Sequence, residues 1–241
     1  MNIAGSGSLP GGVYDDRISI SGSGKITGSA SCSAFHSSGS GSVDGDLLCQ
    51  KEFRSSGSCR VNGSLQAESV SSSGSFKCGG AIHAVETVKA SGSFHAGGST
   101  ACGDFHTSGS ATVEGDLSAD SIKCSGKIYC TGLMSADTID IRFGGRSGAG
   151  NIGGSSIRIV REGSGGVITR LISALGSKDG VFDVPGSIEG DEIYLENVAA
   201  ASVTGRVVKI GPGCDIGQVF YIESAEISPN ASVGQSEQLM G

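Results

Sequence analysis

The dipeptide Ser-Gly begins at Ser21, Ser38, Ser56, Ser73, Ser91, Ser108 and Ser125, in steps of 17 or 18 residues. Seven residues after each of these serines stands another glycine, at Gly28, Gly45, Gly63, Gly80, Gly98, Gly115 and Gly132. A fixed period this short means a solenoid, in which each repeat stacks only on its neighbours. A stack of like coils offers sides and two ends, so the activity of such a chain is expected on those surfaces.

Counting each repeat from its Ser-Gly serine, position five holds Ile26, Val43, Val61, Cys78, Ala96, Val113 and Cys130. Position nine holds Ala30, Leu47, Leu65, Ile82, Thr100, Leu117 and Met134. Position eleven holds only Cys or Ala, at Cys32, Cys49, Ala67, Ala84, Cys102, Ala119 and Ala136. Phe35, Phe53, Val70, Val88, Phe105, Ile122 and Ile139 stand three residues before the next repeat. These columns form inward pairs two residues apart, the mark of short strands with one buried face. Three strands per turn give a triangular coil of about 17–18 residues. The glycine columns suit two corners where the chain turns sharply or takes positive φ. The third corner is polar, with Lys51, Ser69, Glu86, Asp104 and Ser121, and accommodates the occasional eighteenth residue. Because parallel crossovers are overwhelmingly right-handed, the expected fold is all-β, a right-handed parallel β-helix.

The register breaks after Ile141. Val167, Ile168, Leu171, Ile172 and Leu175 fall at helical spacing ahead of Gly176, which predicts a short helix over 166–175. Alternation returns from Ser187. The expected organisation is regular coils over 1–141, an irregular insertion with that helix over 142–186, and less regular coils over 187–241.

The bulk numbers agree with a thin core. Aromatic residues make up 5% of the 241 residues and Trp is absent. The formal net charge of −7 gives no reason to expect a nucleic-acid partner. The first residues show neither a basic n-region nor an apolar h-region, and no run approaches the ~18 apolar residues of a spanning helix. A cytoplasmic location with reduced thiols is the expectation.

No residue set points to catalysis, a cofactor or a metal. Cys32, Cys49, Cys59, Cys78, Cys102, Cys124 and Cys130 take inward columns, where cysteine acts as a small hydrophobe, and no Cys-x-x-Cys pair suggests zinc. Cys32 and Cys49 are expected in adjacent layers, within disulfide reach in principle. His36, His83, His95 and His106 take outward columns, and His36 and His106 are four layers apart. Asp120 and Asp137 are expected to stack at the polar corner, too few to hold calcium. The Gly148-x-Gly150-x-x-Gly153 spacing lacks the long helix of a dinucleotide site. Two outward columns stand out as basic: Lys25, Arg60, Lys77 and His95 in one, and His36, Arg54, Lys89, His106 and Lys123 in the other. Such a stripe suits an acidic partner or phospholipid.

The segment Gly5-Ser6-Gly7-Ser8-Leu9-Pro10-Gly11-Gly12, the Ser-Gly-Ser coils, Ser187-Ile188-Glu189-Gly190-Asp191-Glu192-Ile193-Tyr194-Leu195-Glu196-Asn197 and Lys209-Ile210-Gly211-Pro212-Gly213-Cys214 together resemble the bactofilin family, specifically its longer Firmicute-type members. The resemblance covers nearly the whole chain. It implies a right-handed β-helix that polymerises without nucleotide, often beneath the cell membrane, and serves as a scaffold in cell shape, envelope or flagellar assembly. It also implies peripheral placement at the inner face of the membrane, with membrane-associated or envelope proteins as partners. Short members of the family have fewer coils, disordered tails and often an N-terminal membrane-binding peptide; neither tail nor peptide is evident here.

The reading that follows is a non-catalytic cytoskeletal scaffold that self-associates through its ends into filaments or oligomers. The candidate end residues are Tyr14, Ile18 and Ile20 on one side and Phe220, Tyr221, Ile222, Ile227 and Val233 on the other. An uncovered terminal coil exposes unpaired N–H and C=O groups that a second copy can cover. The alternatives are a monomeric or dimeric module that recruits partners along its sides and, further off, a carbohydrate-active β-helix enzyme.

Overall fold

The structure is a computed structural model that describes residues 1–163 and 180–240. Its strand pairs are parallel throughout, and no α-helix occurs among the described residues, so the chain is an all-β parallel solenoid. The helix expected over 166–175 lies outside the described residues. The chain divides into two compact units, Met1–Ala119 and Asp120–Gly241.

In the first unit each turn contributes to three stacks of strands. One stack runs from Ser23–Cys32 through Ser40–Val43, Ser58–Val61, Ser75–Cys78 and Ser93–Ala96 to Ser110–Val113. The second joins Leu47–Cys49, the start of Leu65–Ser72, the start of Ile82–Ala90, Thr100–Ala101 and Leu117–Ser118. The third joins Ile18–Ile20, Phe35–Ser37, Glu52–Ser55 and the later halves of Leu65–Ser72 and Ile82–Ala90 to Asp104–Thr107. The expected alternation places side chains correctly: Val43, Val61 and Val113 are all 0% exposed. The eighteenth residue sits at the third corner, where the register shifts between Ala67 and Ser69.

The two glycine columns have causes other than the expected positive φ, which only Gly28 and Gly126 among them adopt. At the Ser-Gly corner the interlayer ladder runs unbroken. Ser40 N–H donates to Gly22 carbonyl at 2.9 Å, Ser58 to Gly39 at 3.0 Å and Ser75 to Gly57 at 3.0 Å. Each glycine therefore lies directly over the carbonyl of the glycine below. A Cβ on Gly39, Gly57, Gly74, Gly92 or Gly109 would collide with that oxygen. The second corner has its own backbone bonds, such as Gly63 N–H to Gly45 carbonyl at 3.0 Å and Gly80 N–H to Gly63 carbonyl at 2.9 Å, and side chains add to them. Asp46 N–H donates to Ser29 Oγ at 3.0 Å, Ser64 N–H to Asp46 Oδ1 at 2.7 Å and Asp116 N–H to Ser99 Oγ at 3.1 Å. A Cβ at Gly45, Gly63 or Gly115 would occupy the place of the accepting oxygen. Both columns are thus about close approach between layers.

The core is filled by a volume rule that couples two inward positions across the Ser-Gly corner. Where the third stack carries Phe35, Phe53 or Phe105, the first stack carries Gly41, Cys59 or Ala111; where it carries Val70 or Val88, the first carries Phe76 or Phe94. One ring per layer results. The rings of Phe35, Phe53, Phe76, Phe94 and Phe105 follow one another at centroid distances of 5.3, 4.9, 5.7 and 5.8 Å. These separations lie in the favourable range for aromatic pairs.

The second unit uses longer strands that pass through corners. Phe182–Leu195, Val198–Ile210 and Asp215–Ile227 pair in succession. The pairs Val184↔Ala200 and Leu195↔Ile210 are 16 and 15 residues apart (200 − 184 and 210 − 195), so these coils are shorter than the first unit's. The insertion is narrower than 142–186. Ser147–Arg161 is a regular strand on Ser121–Ser135 and Thr138–Phe143, and Gly148, Gly150 and Gly153 lie within it, not at the head of a helix. Its partner across the ladder is Phe182–Leu195, with Ile157↔Ile193 being 36 residues apart (193 − 157), so the extra chain is confined between Arg161 and Phe182. Phe143 and Phe182 meet edge to face, with ring centroids 5.5 Å apart.

Two outcomes follow. Gly74→Ala forces the layers apart and is expected to destabilise by about 1–3 kcal/mol, as overpacking does. Gly5→Ala, which has open space at its Cβ, is expected to be near neutral by thermal denaturation. Val70→Phe alone overfills its layer, whereas Val70→Phe with Phe76→Ala restores one ring to it. A double-mutant cycle should show favourable coupling of about 1 kcal/mol or more, and additive losses would refute the volume rule.

Candidate functional site

The outer edges of the first and last described layers are the first candidate surface. Asn2–Ile3 pairs with Ile18–Ile20, and Ser6–Tyr14 pairs with Ser23–Cys32; no described strand pairs with their other edges. These segments form a whole layer ahead of Ile18 and Ile20, which are therefore 0% and 1% exposed and are core residues, contrary to the expectation that they mark an end. Pro10 and Val13 are exposed there, while Leu9 and Tyr14, which pair with Ile26 and Cys32, are half-buried; the Tyr14 hydroxyl donates to Pro10 carbonyl at 2.6 Å. In the second unit Ser232–Gln238 covers only Asp215–Tyr221. The stretch Ser224–Ile227 pairs with Val207–Ile210 and, among the described residues, with nothing beyond it. Ile222 and Ile227 are 43% and 38% exposed, while Phe220, Tyr221 and Val233 are half-buried.

The second candidate surface is the Ser-Gly corner of the first unit. The ladder places Lys25, Ser42, Arg60, Lys77, His95 and Thr112 in one outward column. It places Ser19, His36, Arg54, Ser71, Lys89 and His106 in another. The first column begins the strands just after the corner and the second ends the strands just before it. The two therefore flank one edge and together make a single stripe. Taken layer by layer the pairs are Ser19/Lys25, His36/Ser42, Arg54/Arg60, Ser71/Lys77, Lys89/His95 and His106/Thr112, so each of six successive layers carries a cationic or imidazole group. The neighbouring acids Asp44, Asp46, Glu114 and Asp116 belong to the second corner, and Glu68 and Glu86 to the third.

Some of these groups are neutralised and some are not. Lys25 pairs with Asp44 at 2.9 Å and His95 with Glu114 at 3.6 Å. Glu52 bridges His36 Nε2 at 2.7 Å and Arg54 Nε at 2.6 Å. The hydrogen bond from His36 is the main cause that holds the Glu52 carboxyl below its usual range; burial pushes it up next, and the hydrogen bond and charge of Arg54 lower it further. Arg60, Lys77, Lys89 and His106 have no ion pair among the described residues, although Arg60 and Lys77 stand directly opposite each other in adjacent strands. At the ends of the strands just before the corner lies a trough of about 450 Å³, lined by Ser19, Ser21, His36, Ser38, Arg54, Ser56 and neighbouring serines. Sequence reading missed this trough because serines scattered 17 or 18 residues apart converge only once the layers are in register.

The remaining candidates have structural roles. All eight cysteines are buried except for the half-buried Cys102. Burial pushes the Cys59 and Cys124 thiols up to about 12 and Cys214 to about 11. Protonated thiols of this kind are poor nucleophiles. Cys32 and Cys49 lie in adjacent layers with sulfurs 3.9 Å apart. The Cys32 sulfur, followed by burial, drives the Cys49 thiol far above its usual value. Asp120 and Asp137 stand in adjacent layers, both exposed. No cluster of three or more His, Cys, Asp or Glu able to hold a metal occurs among the described residues. No helix among them is long and apolar enough to cross a membrane.

No family model matches the chain. It is similar to the uncharacterized protein YhbF of Bacillus subtilis (strain 168), with 39% identity over 88 residues. The match takes in 36% of this chain and about a third (33%) of the relative's own length. No solved structure matches.

The depressed Glu52 carboxyl contributes stability that is present above the unfolded-state value near 4.5 and lost as pH falls through the lower folded value. Glu52→Gln removes that contribution. Its melting temperature is expected to drop slightly at neutral pH, as for a solvent-exposed pair worth about 1 kcal/mol or less. The difference from the parent should begin to shrink as pH falls below 4.5 and vanish once the folded carboxyl is protonated as well; a difference that does not shrink in acid would refute the ion-pair account.

Proposed function

We propose that this chain is a non-catalytic, bactofilin-like scaffold that self-associates through its terminal layers into filaments or oligomers. It would support cell shape, envelope or flagellar assembly from the cytoplasm, peripherally at the inner face of the membrane. The solenoid is taken to be right-handed, as parallel crossovers are. The observation that carries the reading is the pair of open parallel edges, Ser6–Tyr14 in one unit and Ser232–Gln238 in the other, with no described strand on their outer sides. Unpaired edge N–H and C=O groups template addition of another strand. Exposed Ile222 and Ile227 beside the second edge add apolar area that association removes from water.

The two edges differ in their guards: Ser6–Tyr14 carries Pro10 and a register shift between Pro10 and Gly12, whereas Ser232–Gln238 has neither. Within Ser232–Gln238 the sole charged residue is Glu237, and within Ser6–Tyr14 there is none. Edge strands that must stay single are guarded by inward charges, bulges or covering loops. The glycine and proline residues of Ser6–Tyr14 leave that edge free of bulky side chains where a second copy would approach.

The purified full chain is expected to form concentration-dependent assemblies in light scattering and elongated particles in negative-stain electron microscopy. Gln235→Pro removes one edge N–H without touching the core and should shift the distribution to small species. A chain that stays monomeric at high concentration, or a proline variant that assembles like the parent, would end this reading.

A further inference from the structure

We propose that the Ser-Gly corner of residues 1–119 binds an unbranched phosphate polymer along its length. Three observations carry this. The first is charge placement: six successive layers each present Lys, Arg or His at one or both positions flanking the corner, at the ~4.8 Å layer repeat. The second is incomplete neutralisation. Arg60 faces Lys77 across the ladder, an arrangement that like charges resist, and neither has an ion pair among the described residues. A bound anion relieves that repulsion. The third is the adjoining trough, whose lining includes Arg54, His36 and the hydroxyls of Ser19, Ser21, Ser38 and Ser56. Guanidinium and hydroxyl donors are the groups that proteins turn toward phosphate oxygens.

The shape of the surface selects among polyanions. The cationic groups form a line and not a disc, and the trough's lining, with Ser19, His36, Arg54 and Ser71, crosses four successive layers in the same direction. An extended chain laid along the corner meets every layer, whereas a flat bilayer cannot enter a trough. The exposed groups at the corner are serine and glycine, without the aromatic and aliphatic residues that seat a protein in a lipid interface. The trough lining contains no Phe, Tyr or Trp, and its one ring, His36, is engaged by Glu52, so it offers no array of stacking platforms for successive nucleic-acid bases. What it reads is phosphate. Glu52, bridging His36 and Arg54, is the acid that competes with the ligand at this corner.

This inference stands apart from the self-association reading, because it concerns the flank of the layers and not their outer edges. The test is binding of fluorescently labelled inorganic polyphosphate to the full chain, followed by anisotropy across a salt series, with poly(glycerol phosphate) of matched charge as a second probe. Arg60→Ser/Lys77→Ser/Lys89→Ser should weaken binding at least about tenfold at about 50 mM salt and flatten the slope of log K against log salt by about two, at ~0.7 per lost contact. Glu52→Gln should bind more tightly than the parent. Circular dichroism and scattering that match the parent show that fold and assembly are unchanged in each variant. Polyphosphate binding alone assigns a densely charged chain, and equal binding of both probes assigns any linear phosphate polymer. No binding of either probe at about 50 mM salt would overturn the proposal. So would a triple variant that binds like the parent, tighter binding of oligothymidylate, or capture by anionic vesicles without polyphosphate binding.

Discussion

The contact on which the structure depends is a glycine resting on a glycine carbonyl. At the Ser-Gly corner each layer's amides reach down to the carbonyls of the layer below at about 2.9–3.0 Å, and the chain turns without breaking that ladder. Backbone can come this close only where no Cβ intervenes. The strict recurrence of glycine is thus a requirement of interlayer distance. Register, in turn, is what brings Phe under Phe, Cys32 beside Cys49 and cation over cation.

Given that register, the interior and exterior solve different problems. Inside, each of the five successive layers from Phe35 to Phe105 accommodates one phenyl ring, supplied from either side of the corner, so that volume per layer stays level there while the sequence varies. Close packing penalises both a second ring and none. Outside, the same stacking sums weak charges. A single exposed lysine says little, but Arg60, Lys77 and Lys89 in successive layers make a line of charge that no isolated residue suggests. Solenoids convert repetition into extended surfaces, and both functional proposals draw on that property: one on the edges, the other on the flank.

Much of this was legible in the sequence. The Ser-Gly period, the inward columns and the third-corner insertion translate directly into layers, because period-two alternation and corner glycines are local properties. Other readings went astray where local pattern underdetermines contact. Ile18 and Ile20 looked terminal because Asn2–Tyr14 is rich in Gly and Ser and lacks inward pairs; in the structure that stretch still forms the ladder, since backbone hydrogen bonds need no apolar side chain. Ser147–Arg161 looked irregular for the same reason, its glycines replacing the expected aliphatics within an unbroken strand.

By itself the sequence determined the period, the three-strand turn and which residues point inward, because alternation along one strand is encoded within a few neighbouring residues. Tertiary structure alone decided which faces adjoin, that two basic columns share a corner, that glycines answer to the layer below, and where the chain's edges lie open. Those facts concern residues 17 or 18 positions apart brought to within a strand spacing, and no local pattern records the direction in which a coil closes on the next.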